Sequence, residues 1–133
     1  MENHENSRNT SEDFDSVGKA KLDSLKERIG EIEEMIKERN TLSENFIKEG
    51  EGMKTNIKNF LMENAPEGED DSEFARERSE LRKKQIEISE LQLNEKVNCW
   101  RDIALLKKEM TESSKELNEK KTRADMLGRI LTE

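Results

Sequence analysis

The residue types that carry most enzymatic and metal chemistry are rare in this sequence and stand alone. His4 is the single histidine and Cys99 the single cysteine among 133 residues. The sequence has no histidine pair at i,i+4 spacing, no cysteine pair at metal-ligand spacing and no glycine-rich phosphate loop. Because a His-dependent triad and a zinc site both need partners that this chain lacks, we predict a protein that is not an enzyme and has no cofactor or metal.

Charged side chains are abundant, but their pattern is typical of solvated helix surface. Acidic pairs such as Glu33-Glu34 are expected on such a surface and not in a catalytic pair of carboxylates. The most basic stretch, residues 76–84, is interleaved with acidic residues. It is either ordinary helix surface or a local contact for an acidic partner surface.

One heptad register runs without a shift from residue 22 to residue 60. Its a and d positions hold twelve residues, nine of them apolar, and the residues between are mostly charged or polar. A stripe of this period lets one helix lie along another in a left-handed supercoil. Arg39, Ser43 and Gly50 occupy a or d positions but interrupt the apolar series. Gly50 and Gly52 predict either a hinge or a softer turn in the helix. The apolar members are Leu22, Leu25, Ile29, Ile32, Ile36, Phe46, Met53, Ile57 and Phe60.

A second helix is expected from about residue 72 to the end of the sequence. Between residues 86 and 105 its apolar residues spread around more than half of the helix, whereas a two-stranded seam needs only a 2/7 stripe. This excess predicts contact with more than one neighbour. Trp100 is either an anchor for a partner, a role in which Trp is enriched, or a core residue of the hairpin itself. The partner-binding positions expected on this helix are Leu93, Val97, Trp100, Ile103 and Leu106.

Composition indicates helices without a globular core. Charged residues make up 42% of the chain and hydrophobic residues 30%, whereas globular domains have nearly half apolar and about a quarter charged residues. The net charge of −8 is concentrated outside the helical stripes, with one Arg against five acids in residues 1–18. Because nucleic-acid binding requires neutralised phosphates, this acidic balance disfavours DNA and RNA as partners.

Four segments follow from these patterns, and together they define an all-α fold. They are a disordered acidic tail (1–18), a coiled-coil helix (19–64), an acidic turn with Pro66 and Gly68 (65–71) and a second coiled-coil helix (72–133). Two long helices joined by so short a turn predict a coiled coil or an antiparallel helical hairpin. The first helix has few apolar residues outside its stripe. We therefore expect pairing with a second copy or with other coiled-coil proteins to complete the burial.

Membrane and secretory signals are not found in the sequence. The N-terminus is polar and acidic, unlike a signal peptide, and no run approaches the roughly eighteen apolar residues of a membrane span. We therefore expect a cytoplasmic, cytoskeletal protein without a membrane partner, and a nuclear or kinetochore location remains open.

Residues 57–64 resemble a motif of the axonemal coiled-coil family of the modifier-of-inner-arms type. Members of that family have a charged helix, a Phe-x-x-Phe-Leu-Lys-Glu-Asn stretch and then more coiled coil. Phe60, Leu61, Glu63 and Asn64 match the stretch, and Ile57 stands where its first Phe would be. The segment 115–131 is also similar in style to the family's closing segment.

The resemblance implies a structural role in cilia and flagella, where such proteins tether inner dynein arms to the doublet. It implies no catalytic residue. Where family members usually continue with basic residues, this chain has Ala65-Pro66 and acidic residues, and it is shorter than typical members.

We therefore expect a non-enzymatic structural or scaffold subunit of a cytoskeletal assembly that acts through helix pairing, with the ciliary axoneme as first candidate. One alternative is a coiled-coil subunit of a kinetochore, chromosome-axis or centrosome complex. Another is a small adaptor that docks Trp100 into a groove on a globular partner. The sequence does not decide between a homo-oligomer and a hetero-oligomer.

Overall fold

The computed structural model consists of two long α-helices that pack against each other as a hairpin. It describes the backbone of residues 2–64 and 73–132, and the side chains of residues 16–64 and 74–132. Helix α1 spans Glu2–Glu63 and helix α2 spans Glu73–Thr132. The predicted all-α fold of two long helices is confirmed.

Both helices are built from residues that favour helix and from short-range ion pairs along their surfaces. Lys54 Nζ lies 2.8 Å from Glu51 Oε1, and Lys120 Nζ lies 3.2 Å from Glu116 Oε1. Each i,i+3 or i,i+4 pair of this kind stabilises a helix by roughly 0.2–0.5 kcal/mol. Helix α1 is continuous through Gly50 and Gly52, and no described residue takes a positive φ. The interpretation of a softer turn within one helix therefore fits the backbone better than a hinge.

Two predicted segments cannot be compared with side-chain packing. The bounds of α1 include residues 2–18, where we predicted a disordered acidic tail, but the side chains of residues 1–15 lie outside the described part of the chain. The tail therefore stays a prediction. Residues 65–72 also lie outside the described part, and with them the predicted acidic turn over residues 65–71.

The chain divides into two compact units, each containing part of both helices. The terminal unit comprises Met1–Ile36 and Ala104–Glu133, and the central unit comprises Lys37–Ile103. In the terminal unit the facing side chains are mainly apolar, and Ile32 is wholly buried with 0% of its surface exposed. An ion pair between Arg28 Nη2 and Glu109 Oε1, at 2.6 Å, joins the two helices at the edge of this apolar strip. The other partly buried apolar residues of this unit are Leu22, Leu25, Ile29, Ile36, Leu106, Met110 and Leu117.

In the central unit the fully buried positions between the helices are polar or small, and half-buried apolar residues flank them. Ser43 and Gly50 of α1 and Gln92 and Cys99 of α2 are buried there. We call this set of facing residues the polar seam. The three residues that interrupt the heptad stripe, Arg39, Ser43 and Gly50, thus form part of the contact between the helices.

The predicted seam positions Phe46, Met53 and Phe60 turn outward, with 42%, 57% and 45% of their surface exposed. Each is replaced at the contact by the next residue along α1, which is half-buried. The reason is the helical period: with 3.6 residues per turn, a seven-residue repeat drifts by about 20° per heptad. Over several heptads the d position rotates away from α2 and the following position takes its place. The replacing residues are Ile47, Lys54 and Leu61.

Candidate interaction surfaces

The centre of the polar seam is a close contact between Gln92 and the backbone of α1. Gln92 is buried, and its Nε2 donates a hydrogen bond of 2.9 Å to the Ile47 carbonyl and one of 3.2 Å to Glu51 Oε1. A Cβ atom at Gly50 would lie 2.5 Å from that Nε2 and 3.0 Å from the amide carbon. Glycine at position 50 therefore makes room for the amide, which would otherwise be a buried polar group without a partner.

A second polar contact joins the helices through Arg39. Its Nη2 lies 2.5 Å from Glu95 Oε1, and its Nε donates a hydrogen bond of 2.9 Å to Asp102 Oδ2. The hydrogen bond to Asp102, followed by the close contact with Glu95, raises the pKa of Arg39 above its ordinary value. Because Glu95 Oε1 is buried, its charge depends on this guanidinium for compensation. The two contacts fix the register of one helix against the other.

Glu51 receives both a cation and an amide donor. The ammonium of Lys54, 2.8 Å away, is the main cause that lowers the pKa of Glu51, and the Gln92 amide adds to it. Lys96 contributes a weaker attraction from α2. These neighbours hold Glu51 in its charged form at neutral pH.

Apolar side chains of the central unit lie mostly on its outer surface. One set on α1 consists of Leu42, Phe46, Met53 and Phe60, all exposed, and we call it the α1 face. Beside it, Leu91 of α2 is also exposed. Phe46 and Met53 of this face, together with Leu91, border a groove of about 210 Å³ between the two helices. Its lining is Phe46, Glu49, Gly50, Met53, Ile88, Leu91 and Gln92.

A second exposed set lies on α2 and consists of Ile86, Leu93, Val97 and Trp100. We call it the α2 face. Trp100 is 76% exposed, so the interpretation of this residue as a core residue of the hairpin does not fit its position. The α2 face and the polar seam occupy different sides of α2. Leu93 follows Gln92 by one residue and Trp100 follows Cys99 by one residue, and one residue turns an α-helix by about 100°.

The thirteen residues predicted to bind partners fall into two groups in the structure. Five of them are exposed and available to a partner: Phe46, Phe60, Leu93, Val97 and Trp100. The remaining eight are buried or half-buried between the two helices of the hairpin: Leu22, Leu25, Ile29, Ile32, Ile36, Ile57, Ile103 and Leu106.

Three exposed members of these surfaces are absent from the residues that the sequence predicts to bind partners. Leu42 stands just before Ser43, outside the predicted stripe, although its spacing of four from Phe46 is a usable signal. Ile86 lies seven residues before Leu93, which places it on the same stripe. Leu91 stands two residues before Leu93 and lies outside that stripe, so its exposure cannot be read from spacing alone.

The chain buries less surface by itself than a compact domain of its mass. It leaves 11378 Å² accessible to solvent, whereas a compact folded chain of 15.5 kDa exposes about 7,200 Å². Large exposed apolar patches mark sites of interaction with other molecules. The exposed apolar residues of the central unit therefore fit protein partners.

Metal-ligand clusters and membrane-spanning stretches were looked for in the part of the chain that the structure describes. Among residues 16–64 and 74–132, no group of three or more His, Cys, Asp or Glu side chains is placed to hold a metal ion. Over the same residues, neither helix contains a stretch long and apolar enough to cross a membrane.

The fold and these surfaces define a helical hairpin with a polar seam and outward apolar faces. No family model matches the chain, and comparisons with curated proteins and with solved structures give no significant match. The resemblance to the modifier-of-inner-arms family thus rests on residues 57–64 and 115–131 alone.

Proposed function

We propose that this chain is a non-enzymatic scaffold subunit that binds partner helices on the outward apolar faces of its central unit. The observation that carries the proposal is the inversion of polarity in this unit. Polar residues such as Arg39, Ser43 and Gln92 lie between the helices, while most of the unit's large apolar residues lie outside.

The exposed apolar residues contribute to the free energy of folding only when a partner helix covers the outer faces. Burying a Leu, Phe, Met or Val side chain contributes roughly 1.5–3 kcal/mol, and the α1 face offers four such residues. The polar seam contributes less to stability but sets the register between the helices, as single polar residues do in coiled coils. The hairpin thus holds two apolar faces in fixed positions for other helices.

The assembly that we propose is cytoskeletal, with the ciliary axoneme as first candidate. This part of the proposal is supported by the resemblance of residues 57–64 to the axonemal coiled-coil family. A helical hairpin with exposed apolar faces is compatible with the tethering role that the resemblance implies.

A second candidate is a small adaptor that inserts Trp100 into a groove on a globular partner. The exposure of this side chain favours it, because an anchor residue must be free before binding. Replacement of Trp100 by Ala separates the two candidates. An adaptor loses its partner, whereas a scaffold that binds through the α1 face keeps it.

The decisive experiment follows the tagged chain in cells that both divide and carry motile cilia. We expect the wild type along the axoneme and the double variant Phe46→Glu/Met53→Glu in the soluble cytoplasm, because the charges prevent a partner helix from covering the α1 face. The matched control Thr41→Glu/Thr55→Glu adds the same two charges on the same helix outside that face and should keep the wild-type location.

Each possible outcome decides part of the proposal. Wild-type signal at kinetochores or spindle poles would replace the axonemal assignment by the alternative complex. Identical locations of the wild type and the Phe46→Glu/Met53→Glu variant would overturn the scaffold role of the α1 face. Circular dichroism of both variants should show unchanged helicity, so that a lost location reports a lost contact.

A further inference from the structure

We propose that the α2 face is the contact between two copies of this chain, which pair antiparallel about a two-fold axis near Glu95. The inference rests on the proposed function, since it assigns a partner to one of the two apolar faces. A second copy is the occupant to which the spacing and the charges of this face point.

The spacing of the α2 face is that of a coiled-coil stripe. Ile86, Leu93 and Trp100 follow one another at intervals of seven, and Val97 lies four residues after Leu93. Glu90 occupies the equivalent place four residues after Ile86. The gap between Ile86 and Leu93 forms a shallow groove. Its lining is Arg82, Gln85, Ile86, Ser89, Glu90 and Leu93.

Antiparallel pairing brings complementary residues of this stripe together. With the axis near Glu95, Leu93 lies opposite Val97 of the second copy, and the same contact recurs once by symmetry. Trp100 then lies opposite Glu90 of the second copy. Its indole N–H can donate to that carboxylate, which explains how both a tryptophan and a glutamate are accommodated in one stripe.

The charges that flank the stripe agree with the same alignment. In antiparallel coiled coils, each position that flanks the apolar stripe pairs with the same heptad position of the other helix. This places Glu87 opposite Arg101 of the second copy, and the pair occurs twice by symmetry. Parallel pairing instead places Glu90 against Glu90 and Lys96 beside Arg101 of the second copy. Lys96 comes near its symmetry mate in the antiparallel pair, but it is already attracted by Glu51 within its own copy.

Sedimentation equilibrium of the full chain tests the association. We expect a species of twice 15.5 kDa, and we expect Leu93→Glu to be monomeric because it places two charges at the centre of the contact. The matched control is Leu91→Glu: the two leucines are 55% and 62% exposed, but two residues of separation place them about 200° apart on the helix. Leu91→Glu should remain dimeric.

Charge reversal tests the orientation. Glu87→Arg should weaken the dimer by about tenfold, because it turns two attractive pairs into repulsive ones. The double variant Glu87→Arg/Arg101→Glu should restore wild-type affinity. In a parallel pair these residues do not face each other, so failure of the rescue would overturn the antiparallel arrangement.

Fluorescence gives an independent readout, because Trp100 is the single tryptophan of the chain. Dilution through the dissociation range should shift its emission to longer wavelength as the indole becomes exposed to water. A helical wild type that is monomeric at every concentration, or a dimer lost with Leu91→Glu and kept with Leu93→Glu, would overturn the proposal. Neither outcome affects the α1 face, whose role is decided by the location of the Phe46→Glu/Met53→Glu variant.

Discussion

At the scale of single residues, Gly50 and Gln92 explain why the centre of the hairpin can be polar. The absent side chain at position 50 leaves space for an amide that reaches the backbone of α1. Gly52, two residues away, has no heavy atom within 4 Å of the place where a Cβ would lie. Two glycines that look alike in the sequence therefore have opposite roles.

Replacement of each glycine by Ala should separate these roles. Gly52→Ala should raise the free energy of unfolding by about 0.5–1 kcal/mol, because Ala favours helix more than Gly. Gly50→Ala has the same helix gain but displaces the Gln92 amide, whose loss of partners costs about 1–3 kcal/mol. Urea denaturation at one protein concentration should thus rank Gly50→Ala below Gly52→Ala.

A double-mutant cycle provides the control for this ranking. In a Gln92→Ala background the added methyl group at position 50 meets no amide, so Gly50→Ala should then approach the effect of Gly52→Ala. Equal stabilisation by both alanines in the wild-type background would show that the close contact at Gly50 does not constrain the seam.

At the scale of the elements, the two helices could be predicted because their apolar periodicity is a local property of the sequence. The sequence could not predict that, along α1, the residues after the d positions take the place of the d positions at the contact with α2. Phe46, Met53 and Phe60 are apolar and correctly spaced, and only the alignment with α2 shows that Ile47, Lys54 and their equivalents replace them. Likewise, the partnership of Arg39 with Glu95 depends on residues far apart in the sequence, so spacing marked it only as an interruption.

The distinction between facing and outward positions of α1 predicts different effects of the same substitution. Ile36→Asp places a carboxylate between the helices and should lower the free energy of unfolding by about 2–4 kcal/mol. Leu42→Asp changes a residue of the exposed α1 face and should change it by about 0.5 kcal/mol or less. Thermal unfolding followed by circular dichroism measures both. Similar losses for the two variants would contradict the assignment of Leu42 to the outer surface.

At the scale of the whole molecule, the chain combines weak self-burial with several ion pairs across and along its helices. Of the predicted partner-binding residues, those on the α2 face were found because a lone Trp in a charged helix is conspicuous. The residues of α1 predicted for the same role mostly contact α2, since the sequence cannot tell pairing within a chain from pairing between chains. A molecule built in this way should depend on pH through its carboxylates.

Acid should destabilise the hairpin through Glu51 among others. Its pKa is lowered in the folded chain from an ordinary value of 4.5, chiefly by Lys54, so the unfolded chain binds the proton more readily. The stabilisation is therefore present above pH 4.5 and is lost as the pH falls through the folded-state pKa. We expect the free energy of unfolding to be level near neutral pH and to fall below pH 4.5. Glu51→Gln should make that fall shallower. Equal slopes for the wild type and this variant in urea titrations between neutral and acid pH would contradict the contact of Glu51 with Lys54 and Gln92.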